Sequence, residues 1–175
     1  MPVLIISAVL VLGSALAAIS DLRTGHIRNI LTYGLAAAAL LVHALAGPAD
    51  LVISVLCMLA VLAAGLPIFA SGWLKGGDVK MIVACAGIVS VHYLLPFLLY
   101  TMLAGGVVSL IAAWRFGTLR RSLHAVREIA HPLLAGVVPD RLPYATHKVP
   151  YGVAIFGGSL LTVLAMTAVP ALRLL

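Results

Sequence analysis

The sequence predicts an all-α, polytopic membrane protein: a bundle of about six transmembrane helices. Three observations lead there. Charged residues make up 9% of the chain, against roughly 25% in an ordinary soluble domain. Mean hydropathy is +1.20. The charge-free stretches also come in lengths near the ~20 residues a helix needs to cross a hydrocarbon core. The 175 residues suit one transmembrane unit, 1–175, and leave no room for a second domain of ordinary size.

The spans follow in order. Residues 2–20 carry no charge. Ala15-Leu16-Ala17 resembles a signal-peptidase site, but no basic segment precedes it, so the stretch reads as the first span. Residues 29–49 and 51–74 are the second and third, divided by Asp50. Met81–Trp114 is too long for one crossing: its 34 residues would make a helix of about 51 Å, against a core of about 30 Å. Two spans are therefore predicted, 81–91 and 95–114, turning near Ser90–Pro96, where His92 and Pro96 suit a helix break. Residues 149–172 form the last.

With six spans, Arg23, Arg28, Lys75, Lys80, Arg115, Arg120, Arg121, Arg127, Arg141 and Lys148 fall on one side and Arg173 alone on the other. Positive residues favour the cytoplasm in short loops, so both termini are expected on the extracytoplasmic side. The net charge of +6 is thus a matter of membrane orientation and not of nucleic acid. In the long cytoplasmic loop, 115–148, Leu119, Leu123, Val126, Ala130 and Leu133 recur at helical spacing. That pattern suits an interfacial amphipathic helix, or equally a docked connector. Cys57 and Cys85 lie inside apolar stretches and read as small buried hydrophobes.

There are five acidic residues. Asp50 reads as a solvated loop residue, Glu128 as a partner in surface pairs, and Asp140 as part of the turn-like Val138–Pro143 stretch. Asp21 and Asp78 differ. Asp21 closes the first span and Asp78 opens the fourth, so both are expected at one depth on the same side. A carboxylate near hydrocarbon is costly unless paired, solvated or neutralised. Gly76 and Gly77 suit a bend that aims Asp78 back into the bundle. If the carboxylates meet, they share a proton; one serves as general base on a water while the other polarises a carbonyl. Spacing alone leaves three roles open: catalysis, helix capping or ion pairing, and a proton or ion pathway.

The neighbouring residues narrow the choice. Ser20-Asp21-Leu22-Arg23-Thr24-Gly25-His26-Ile27-Arg28-Asn29 resembles the first aspartate motif of the type IV prepilin peptidases, aspartyl peptidases of the GxGD type. Gly76-Gly77-Asp78-Val79-Lys80 resembles their second, Gly-x-Gly-Asp-x-Lys. Val149-Pro150-Tyr151-Gly152-Val153-Ala154-Ile155 resembles the segment that opens the last helix of short members. The chain lacks the four-cysteine insertion of the longer, methylating members and is similar to the peptidase-only branch tied to tight-adherence (Flp) pili.

The resemblance implies a multi-pass protein of the bacterial inner membrane. It would cleave the short basic leader of a prepilin at the cytoplasmic face, with the pilin's hydrophobic N-terminal helix held in the membrane. Asp21 and Asp78 would activate water, with no metal or cofactor, no N-methyltransferase activity and no nucleic-acid partner. A non-catalytic assembly subunit of a pilus or secretion system, or a small proton-coupled transporter using the same aspartates, are the competing readings. Two positions depart from the family pattern: Lys75 stands where a glycine is usual, and Arg28 where a proline is.

Supporting roles attach to Arg23, Asn29, Gly76, Gly77, Lys80, Tyr151 and Gly152. Lys80 favours an ionised Asp78, attracts an acidic substrate residue, or anchors at the headgroups. Asn29 is expected to cap the second span or to bond near Asp21, the cap being favoured. Tyr151 and Gly152 are expected to let the last span pack closely behind the site. Gly72, Gly76 and Gly77 make the loop before Asp78 a candidate gate. His124 and His131 are the one histidine pair at a regular spacing, and they have no third partner.

Overall fold

The computed structural model describes residues 3–115, 117 and 150–168. Among these there are five helices: α1 (Val3–Thr24), α2 (Asn29–Ala46), α3 (Pro48–Ala70), α4 (Gly76–Arg115) and α5 (Tyr151–Ala168). The loop 118–149, with its expected amphipathic helix, Glu128, Asp140, His124 and His131, lies outside the described residues, as does Arg173.

The helix ends follow local chemistry. α1 runs one turn beyond its charge-free stretch, so Asp21 sits inside the helix. It stops where Gly25 adopts φ 71 and donates its N–H to the Asp21 carbonyl at 2.8 Å, a left-handed terminus that favours glycine. α2 starts after Arg28, whose φ of −70 and ψ of 137 turn the chain into the helix without a side-chain cap. α3 begins on Pro48, where the missing N–H costs nothing. Asp50 lies in its exposed first turn, a helix residue near a favourable dipole end and not the loop residue expected.

The helical backbone of α4 is unbroken over 40 residues, with Pro96 inside it. No non-helical gap opens at Ser90–Pro96 as expected. The chain nevertheless reverses there. Cys85 is within hydrogen-bond reach of Ser159, while a Cβ built on Gly158 would lie 2.7 Å from Thr101 Cα. Along a straight helix Cys85 and Thr101 would be about 24 Å apart, yet they touch adjacent residues of α5. Asp78 and Gly105 likewise both reach Tyr151. The arms 76–90 and 91–115 therefore run antiparallel, two helical arms that abut with no non-helical segment between them.

Contacts along the bundle give alternating directions. Ser54 Oγ donates to Gly87 O at 2.9 Å and Gly65 faces Val79, so α3 runs against the first arm. Lys80 meets Asn29 and His43 meets Ile88, so α2 runs with it. Gly13 faces Leu35, setting α1 against α2. α4 thus forms the centre, packed by all four other helices.

Around an apolar core that includes Leu10, Met81, Ile88 and Phe97, the described surface is apolar as a soluble bundle's is not. Ser14, Thr32, His43, Ser54, Thr101, Ser159 and Thr162 are buried, while Leu4, Ile30, Leu45, Leu59 and Leu103 are exposed. Several buried hydroxyls bond back to their own helices, as Ser14 does to Leu10 O at 2.7 Å and Thr162 to Gly158 O at 2.7 Å, while Ser54 bonds across to α4. Small and hydroxylic contacts inside an apolar shell are how helices associate in lipid. Val3–Thr24, Asn29–Ala46, Pro48–Ala70 and Val91–Arg115 are long and apolar enough to cross a membrane, and Tyr151–Thr167 is a shorter apolar helix. The expected six spans therefore resolve into four of full length, with α5 and the first arm of α4 shorter; that arm is about 22 Å long.

Candidate active site

Asp21 and Asp78 come together at one end of the bundle, where α1 ends, α4 begins and α5 begins. Both are buried, at 3% and 4% exposure, although each sits on a terminal turn. What buries them is the tight meeting of three chain segments, which two glycines permit. A Cβ on Gly152 would lie 2.9 Å from Asp21 Cβ and 3.1 Å from Ala17 O. A Cβ on Gly77 would lie 3.1 Å from Ile27 O.

The two carboxyl groups have different surroundings. Asp21 Oδ2 accepts the Gly152 N–H at 2.8 Å. That donor belongs to the second residue of α5, one of the N–H groups a helix start leaves unpaired, and the positive end of α5 favours negative charge beside it. Asp21 Oδ1 is buried and has no hydrogen-bond partner among the described residues.

Asp78 is the third residue of α4, and its Oδ2 accepts the Lys75 N–H at 3.3 Å. Lys75 O in turn accepts the Asp78 N–H at 3.0 Å. The side-chain bond is one half of a capping box, the half in which the third helical residue returns to the N–H before the helix, so capping and site-forming roles coincide in one side chain. Burial pushes the Asp78 carboxyl up to about 6, and the negative charge of Asp21 adds to the rise. The Lys75 N–H and then its ammonium pull the other way. A carboxyl poised near 6 exchanges its proton readily close to neutral pH, and Asp21 is one of the groups that raise it.

The remaining expected residues divide. Gly77, Gly152 and Tyr151 belong to the site: the Tyr151 ring packs beside Gly105 and lies within electrostatic reach of Asp78. Gly76 only starts α4, its Cβ position 3.5 Å from the Phe69 ring. Arg23 is exposed on the last turn of α1. Asn29 does not cap α2; its Oδ1 accepts from Lys80 Nζ at 3.2 Å. Lys80 Nζ also lies 5.3 Å from the Tyr33 ring centroid, so this ammonium is turned to α2. Burial, Asp21 and Lys75 are what move the Asp78 carboxyl, and the contacts shown for the Lys80 ammonium are those to α2.

The cation that does act on Asp78 is Lys75, which sequence reasoning treated only as a departure from pattern. The signal was present: a basic residue three positions before an aspartate at a helix start stands at the N-cap. Among the described residues, no three His, Cys, Asp or Glu side chains gather as a metal-ligand set.

Residues 8–110, more than half of the chain and including both aspartates, match the type IV leader peptidase family. The Val149–Ile155 segment lies beyond the matched stretch. No curated protein and no solved structure matches the chain significantly.

Proposed function

Because the chain belongs to the type IV leader peptidase family, the aspartic-type prepilin peptidases, we propose that it removes the short basic leader of type IV, Flp-like prepilins, with Asp21 and Asp78 as the water-activating pair. The observation that supports this most is the burial of both carboxyl groups, 57 positions apart in the chain, in one electrostatically coupled site.

The differing surroundings suggest a division of labour. Asp21, with one oxygen held by Gly152 N–H, takes a proton from water through its other oxygen. Asp78, the carboxyl that burial favours as the neutral acid, donates its proton to the scissile carbonyl oxygen. The water oxygen bonds to the carbonyl carbon. On collapse, Asp78 regains its proton, the C–N bond breaks, and the proton held by Asp21 passes to the leaving nitrogen. The balance closes with both aspartates restored.

In this reading the dyad end faces the cytoplasm, as the Lys and Arg distribution favours. The substrate's hydrophobic N-terminal helix stays in the membrane, and no N-methylation follows, because the chain has two cysteines and no four-cysteine insertion. The whole chain, 1–175, acts as one transmembrane peptidase unit.

The test is co-expression of a tagged Flp-type prepilin with wild type, Asp21→Asn and Asp78→Asn. Shortening of the precursor by wild type alone, with normal insertion of all three, supports the proposal. Cleavage by either variant at the wild-type rate removes the dyad from the mechanism.

A further inference from the structure

We propose that Lys75 is a positioning residue of this site: its side chain straps the α3–α4 loop to the α1–α2 turn at the end of the bundle that holds both aspartates, while its backbone N–H holds the Asp78 carboxyl. Its catalytic consequence rests on the peptidase reading; its hold on Asp78 does not.

Lys75 touches both motif segments. Its Nζ donates to Gly25 O at 2.9 Å, and Gly25 lies four residues past Asp21, on the glycine that ends α1. Its backbone N–H reaches Asp78 Oδ2 at 3.3 Å, and its carbonyl takes the N–H groups of Asp78 and Val79 at 3.0 and 3.2 Å. Beneath this strap, Gly77 lies against the Ile27 backbone. The two segments thus meet through one inner contact and one outer one. The outer bond is exposed, so water replaces it at little cost when it opens. A peptide bond approaching the buried carboxyl groups from this end passes between these segments, and a strap that opens readily and closes again suits that passage.

The titratable and charged groups around Asp78, among the described residues, are few. Asp21 approaches from α1 and Tyr151 from α5. Lys80 is turned to Asn29 and Tyr33 on α2. Arg23, His26 and Arg28 are exposed on the α1 end and the following turn. Lys75 is therefore the cation whose removal Asp78 feels.

The experiment uses the full chain in detergent, as wild type, Lys75→Met, Lys75→Arg and Lys80→Met. Infrared titration follows the Asp78 carboxyl, assigned by its loss in Asp78→Asn, and prepilin cleavage is measured across pH in parallel. In Lys75→Met the Asp78 titration moves up by about half a pH unit or more and the alkaline limb of cleavage moves with it. Lys75→Arg returns both to wild type, while Lys80→Met leaves the titration in place. Amide exchange across 25–28 and 75–79 rises in Lys75→Met as the strap is lost. A Lys75→Met titration that coincides with wild type, or unchanged exchange in both segments, overturns the proposal. A wild type that titrates and responds to Lys75→Met as described but cleaves no prepilin overturns the peptidase reading instead.

Discussion

Replacing Asp78 with Asn should abolish cleavage and stabilise the fold. The Asp78 carboxyl rises from 3.8 to about 6 on folding, chiefly because it loses water. In the window between those values the folded protein binds more protons than the unfolded one, so stability falls as pH rises through it. Above the folded value the ionised Asp78 costs the native state about 3 kcal/mol, at 1.36 kcal/mol per pH unit. Asparagine never ionises, and its amide oxygen still accepts the Lys75 N–H. At pH 7.5, Asp78→Asn should therefore be more stable than wild type by up to about 3 kcal/mol. The gap should close toward pH 4, where wild type is neutral at this position. Unfolding by denaturing detergent, followed by helical circular dichroism at pH 4, 5, 6 and 7.5, measures both curves. A variant no more stable than wild type at pH 7.5, or a gap of constant size across the series, would refute the reasoning.

Two other changes probe the frame around the dyad. Gly152→Ala places a methyl group 2.9 Å from Asp21 Cβ, which should push α5 off α1, cost about 1–3 kcal/mol and lower cleavage on the order of 100-fold through misplacement of Asp21; wild-type turnover would show that the contact relaxes freely. Arg28→Pro should be neutral or stabilising by about 0.4–1 kcal/mol, with cleavage retained, because the φ of −70 at Arg28 already lies in the range proline enforces; a marked loss of stability on thermal unfolding would count against the described turn.

Much of this architecture was legible because the bilayer imposes a coarse and strict code. Charge-free runs of the right length located α1, α2, α3 and the two arms of α4, and the excess length of Met81–Trp114 foretold the reversal that contacts to α5 reveal. The form of that reversal was not legible. Whether helical hydrogen bonding survives a turn at Ser90–Pro96 depends on packing against neighbours, which no periodicity encodes.

The aspartates were legible for the same reason that they are costly: an acidic residue at the edge of an apolar run stands out. Their partners did not stand out. The Gly152 N–H is a backbone group and leaves no mark in the sequence beyond the glycine that allows its approach. Lys75 was hidden by its chemistry, since a lysine in a loop looks like any solvated charge until the N-cap geometry ties it to Asp78. Two residues of helix carry a side chain about 200° around the axis, so Lys80 leaves α4 on another side from Asp78, and its contacts to Asn29 and Tyr33 are not encoded in sequence spacing.

The bond from Gly152 to Asp21 crosses 131 residues, which has a bearing on the order in which the protein is made. Both aspartates leave the ribosome well before Gly152 does. A nascent chain that stops short of Gly152 therefore has one carboxylate still lacking its donor and one wall of the site still absent. Asp21 gains that donor only with the docking of α5, so on the proposed reading of the pair hydrolytic competence belongs to the closed bundle and not to the two aspartate motifs alone.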